Sequence, residues 1–207
     1  MMLESLRFDN RRKSWMLTFS EKESFSVSDE LKQKYGLHPG MEISEDRVST
    51  LKKEAEHHFV FEKALELLSY REHSTYELKT KLLQKGYSLS LVHDVIKQMI
   101  SKGYLDDERF ATYYFQELLR RGNYGPFVIK RKMLEKGVNK QIIEKKLASV
   151  SQKEWEQIAR KILNKKQKKL GRNPEKIRDT LLTILIQKGF DYGSIQNVVN
   201  EYSKMDL

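Results

Sequence analysis

The chain has 207 residues, of which 39% are hydrophobic and 33% charged, with a formal net charge of +10 and no cysteine. The hydrophobic share is below the globular average and the charged share above it, which suits small helical units that need neighbours to complete a core. Disulfide staples and cysteine-ligated zinc are excluded, and a basic excess of this size favours a polyanionic partner, nucleic acid or an anionic membrane face.

The opening segment "MMLESLRFDNRRKSWMLTF" carries charge from its fourth residue, so no signal peptide is expected. No stretch approaches the roughly 20 apolar residues that span a bilayer, and the expectation is a soluble cytoplasmic protein without membrane contact. "SWMLTFS" (14–20) and "ESFSVS" (23–28) cluster β-formers around a polar "EKE" and predict a small hairpin. Ser28 is placed to cap a short helix that Gly36 ends, "LHPG" (37–40) reads as a turn, and Ser44 precedes another helix start.

From about residue 46 onward the pattern is helical. Leu51, Ala55, Phe59, Ala64, Leu65 and Leu68 recur at three- and four-residue steps, as do Trp155, Ile158, Ala159, Ile162 and Leu163. A longer period overlies this one. "LLQKGY", "MLEKGV" and "LIQKGF" place Lys-Gly pairs at Gly86, Gly137 and Gly189, and apolar-face alanines stand at Ala64, Ala111 and Ala159. Glycine ends a helix in the left-handed conformation without steric cost, and a preceding lysine faces the negative end of the helix dipole. Each pair is therefore a corner between two helices. Ser74 and Glu77 form a capping box at one second-helix start, and Pro126 and Pro174 take the first helical position at the others. The expected fold is mainly α: three tandem three-helix, helix-turn-helix-like repeats forming an elongated curved molecule, with a small N-terminal hairpin and helix. The boundaries so read are 1–50, 51–104, 105–152 and 153–207.

Charge is unevenly placed. Residues 117–178 hold nineteen lysines and arginines against six glutamates, a net of +13, which leaves the rest of the chain at −3. Arg120, Arg121, Lys130, Arg131 and Lys132 form one run, and Lys165, Lys166, Lys168, Lys169 and Arg172 another. Such groups neutralise phosphates and release counterions, and the interleaved aromatics Tyr124 and Phe127 offer stacking surfaces, although an ordinary place in the core or a loop suits them better. Asp106, Asp107 and Glu108 open a helix and are read as caps for its positive end rather than as metal ligands. Gly122-Asn-Tyr-Gly125 matches a G-x-x-G clamp but is read as a turn. The five histidines form no constellation, and no phosphate-loop, zinc-protease or nucleophile-elbow motif occurs. No catalytic site, metal or cofactor is expected.

"YREHSTYEL" (70–78), "KLLQKGY" (81–87), "GYLDDERFATYY" (103–114) and "LEKGV" (134–138) resemble the RecX family of bacterial RecA regulators, in the family's order and spacing. The resemblance covers roughly 60–205. It implies tandem three-helix repeats, binding in the groove of the RecA–DNA filament, restraint of ATP hydrolysis, filament growth and strand exchange, and sequence-tolerant contact with single- and double-stranded DNA by a monomer. The motif positions it carries over are Arg71, Ser74, Glu77, Leu78, Gly86, Asp107, Arg109, Phe110 and Ala111, read mostly as fold-defining. A stand-alone helix-turn-helix DNA-binding protein or repressor is the alternative, and a metal-dependent nuclease using Asp106, Asp107 and Glu108 a third.

Overall fold

A computed structural model describes residues 1–166 and 174–205, among which lie three strands and ten helices. The described chain forms two compact units. One comprises Met1–Arg71 and Leu78–Tyr104, and the other Glu72–Glu77 together with Leu105–Leu207.

The first unit opens with an antiparallel sheet in the order β1 (Leu3–Asp9), β2 (Ser14–Phe19), β3 (Ser24–Val27). The predicted hairpin is β2 and β3, but a third strand precedes it. A register shift between Leu3 and Ser5 places Leu3 opposite Phe19 and Leu6 opposite Leu17. That bulge breaks the two-residue alternation, which is why β1 does not read as a strand from its pattern. Ser28 accepts from the Leu31 amide and Gly36 ends α1 (Asp29–Tyr35) at φ 61°, both as expected. The 26-residue α2 (Glu45–Tyr70) then lays Val48, Leu51 and Ala55 on the buried residues of the sheet. Each large apolar side chain so buried contributes about 1.5–3 kcal/mol relative to exposure. α3 (Thr75–Gln84) and α4 (Leu89–Ser101) complete the first three-helix repeat, and Ala64 of α2 is fully buried.

The second unit contains α5 (Asp107–Arg121), α6 (Pro126–Glu135) and α7 (Lys140–Ala148), then α8 (Gln152–Lys166), α9 (Pro174–Gln187) and α10 (Tyr192–Met205). One apolar cluster runs through both repeats, from Phe110 and Ala111 to Val199 and Tyr202. Ala111 and Ala159, like Ala64, have no exposed surface, so the small side chain sits where helices pack closely.

Gly86, Gly137 and Gly189 have φ values of 91°, 74° and 91°. Their amides donate to Leu83, Leu134 and Ile186 at 2.9, 2.8 and 2.9 Å, so the three glycines share one geometry. A fourth pair, Lys102–Gly103, turns the chain from α4 towards α5 in the same manner, with φ 73° at Gly103.

Candidate nucleic-acid interface

The corners are also joints. The Lys136 carbonyl accepts from the Ser74 hydroxyl, and Lys136 Nζ pairs with Glu77 Oε1. The Lys188 carbonyl accepts from the Gly125 amide at 2.7 Å, and the Gly189 carbonyl from Phe127 N at 3.0 Å. In each case the end of a repeat's second helix receives the start of the second helix of the repeat before it. The approach is tight. A Cβ on Gly137 would lie 2.3 Å from Tyr76 Cβ, and one on Gly189 would lie 2.5 Å from Val128 N.

Most of the motif positions meet at the first of these joints. Ser74 Oγ caps the Glu77 amide at 3.0 Å, the local half of the expected box, while the Glu77 carboxylate also holds Lys136. Asp106 caps its own helix through the Glu108 and Arg109 amides, and these donors hold its carboxyl below the usual range. Asp107 accepts from the Thr75 amide at 2.7 Å, so it caps α3 rather than α5. Arg109 Nε reaches Glu72 at 2.9 Å. Phe110 and Ala111 are buried in the core beneath. Asp106 and Asp107 are thus committed to helix starts. Among the described residues no cluster of three metal-binding side chains exists.

The basic residues divide into two groups. Arg120 and Arg121 end α5 and share Glu117, at 2.7 and 3.0 Å. Arg120 first, then Arg121, holds the Glu117 carboxyl below its ordinary range. The arginine side chains remain 78% and 56% exposed, and solvent screens such a pair, so a phosphate competes with it easily. Gly122 then turns the chain at φ 57°. Lys161 of α8 lies against Gly122, and Lys165 Nζ donates to Asn123 Oδ1 at 3.0 Å. On the next residue, Tyr124, Lys132 Nζ sits 4.8 Å from the ring centre. The turn 122–125 therefore gathers Arg120, Arg121, Lys132 and Lys165 from three helices, and adds Lys161, which the sequence reading missed. Its signal was the four-residue step from Lys161 to Lys165, off the face that buries Trp155, Ala159 and Ile162.

Lys130 and Arg131 of α6 pair away from the turn, with Glu144 and Glu135. Lys166 is exposed at the end of α8, and Lys168, Lys169 and Arg172 lie outside the described residues. Tyr124 packs against the core, one of the two places expected for it, but Phe127 is 60% exposed on the first turn of α6, so neither the core nor the loop place expected for it holds.

These helices and joints define a class, an array of three-helix repeats coupled corner to helix start. Residues 61–99 and 106–147 match the first and second three-helix domains of RecX. The chain is 28% identical over 188 residues to the regulatory protein RecX of Streptococcus sanguinis (strain SK36), covering 90% of this chain and 72% of that one. It is 27% identical over 203 residues to the regulatory protein RecX of Streptococcus gordonii, covering 97% and 76%. A crystal structure of regulatory protein RecX aligns with a TM-score of 0.71 at 17% identity over 97% of this chain and 98% of that one. RecX from Lactobacillus salivarius aligns with a TM-score of 0.59 at 23% identity over 72% and 97%. The chain is thus similar to the RecX family in two of its three-helix domains and along most of its length to relatives named as regulatory proteins.

Proposed function

We propose that the chain is a non-catalytic, mainly negative regulator of RecA that binds the RecA–DNA filament as a cytoplasmic monomer. The observation that supports this reading is the cationic turn 122–125, with five basic side chains from three helices, in a chain similar to the RecX family. Contacts made by flexible cations around a turn suit a phosphate backbone and carry no base code, so DNA binding is sequence-tolerant. The filament restraint, the loss of ATP hydrolysis and the limit on strand exchange follow from occupying the filament rather than from chemistry.

The test is the DNA-dependent ATPase of RecA with substoichiometric amounts of this protein. A fall in rate is expected, and an unchanged rate with unchanged filament length defeats the reading. Reversing Arg120, Arg121, Lys132 and Lys165 together to glutamate should weaken duplex binding and flatten its salt dependence, by roughly 0.9 in log–log slope for each phosphate no longer neutralised. Reversing Lys130 and Arg131, whose partners Glu144 and Glu135 lie on α7 and at the end of α6 rather than at the turn, should change the slope less.

A further inference from the structure

The glycines of three Lys-Gly corners share one backbone geometry, and two of these corners hold the start of a helix. The third, Lys85–Gly86, holds none. Among the described residues no donor reaches the Lys85 carbonyl, and a Cβ on Gly86 would meet nothing within 4 Å. Lys85 and Gly86 are exposed, and Leu89 beside them is 60% exposed. The corner shares the glycine bond of its siblings, Gly86 N to Leu83 O at 2.9 Å, but among the described residues it lacks the return bond that the Val138 and Phe190 amides make to Met133 and Leu185 at 3.1 Å. Lys85 N donates to Leu82 O at 3.1 Å, as Lys136 N does to Met133 O.

The filled corners describe what fits. Each occupant presents the positive end of a helix to the negative end of another, an electrostatic match that any helix start offers. Each begins with a small residue whose hydroxyl or amide reaches the lysine carbonyl, Ser74 or Gly125. Each sets a larger side chain, Tyr76 or Val128, against the bare glycine. At the Ser74 joint an acid three residues on, Glu77, binds the lysine ammonium.

We propose that Lys85–Gly86 is a docking corner for the first turn of a helix on RecA, one that opens with serine, threonine or glycine. This rests on the RecA reading above and names the part of the first repeat that meets the filament. The array joins corner to helix start within itself and would use the same joint to seize its target.

The chain has no cysteine, so a single Lys85→Cys carries one photoreactive maleimide, and Lys97→Cys on the exposed side of α4 is the control. Each labelled protein is bound to RecA filaments on single-stranded DNA, irradiated and mapped by mass spectrometry, with the ATPase of the unlabelled protein measured alongside. Adducts from position 85 should fall within the first turn of a RecA helix and be rare from position 97. Lys85→Glu should bind the filament at least about thirtyfold more weakly, as when one partner of a desolvated charge pair is removed, with an unchanged thermal unfolding curve. Retained ATPase inhibition with scattered or absent adducts at 85, or adducts joining two copies of this chain, overturns the docking corner and leaves the regulator reading standing. Unaltered ATPase with the unlabelled protein removes both.

Discussion

The corners at Gly137 and Gly189 use the same residues and meet different demands. At Gly137 the incoming helix start is Ser74, whose hydroxyl makes the joint, with an ion pair from Glu77 to Lys136 beside it. At Gly189 the incoming start is Gly125, whose amide makes the joint, and backbone meets backbone. A Cβ on Gly125 would lie 2.6 Å from the Gly189 carbonyl carbon. The first joint is polar and adjustable, because its partner is a side chain. The second is fixed by main-chain atoms that cannot rotate away. One repeat geometry thus supports two solutions, and the difference lies in whether the joining group can rotate.

The same substitution should therefore cost more at the two filled corners than at the open one. Gly189→Ala adds left-handed strain to a clash with Val128 N, and should cost about 3 kcal/mol in urea unfolding. Gly137→Ala would set its Cβ 2.3 Å from Tyr76 Cβ, an atom that moves only with the α3 backbone, so about 3 kcal/mol is expected there too. Gly86→Ala carries backbone strain alone and should cost about 1 kcal/mol. Equal losses at all three would break the comparison. Ser74→Ala sharpens it from the other side: loss of a cap should cost about 1 kcal/mol, and hydrogen exchange should rise in the first turn of α3.

The smallest effect is that of pH. The Asp106 carboxyl is lowered by the Arg109 and Glu108 amides, so its contribution is present above the unfolded aspartate pKa and lost as pH falls through the lower folded value. Asp106→Asn keeps an acceptor for the cap and should flatten the acid limb of a urea-midpoint profile while leaving neutral stability nearly unchanged.

The helical repeats were legible because their signals are local. Left-handed glycine, capping serine and a buried alanine each act within a few residues of themselves. What stayed hidden was made by the fold. Asp107 reads as a cap for α5, its own helix, yet its carboxylate turns to Thr75. The capping box read as complete between Ser74 and Glu77, but both side chains also reach Lys136. Strand β1 was masked by a bulge at Leu3 and Ser5. The basic residues could be counted but not sorted, because Asn123 and Lys165 meet across 42 positions and Lys130 differs from Lys132 only in which side of α6 it occupies.

The Asp107 and Lys136 contacts have a consequence for synthesis. The start of α3 gives one hydrogen bond to a carboxylate 32 residues later and another to a carbonyl 62 residues later. On the ribosome that start emerges well before either partner, and it waits half-finished while α5 and α6 are translated. Loop closures of this length add only slowly to the entropy cost, so the wait is one of time more than of stability. A nascent chain arrested before residue 107 should thus hold its N-terminal sheet and α2 while the start of α3 frays, and the repeats should click shut in the order in which their corners leave the tunnel.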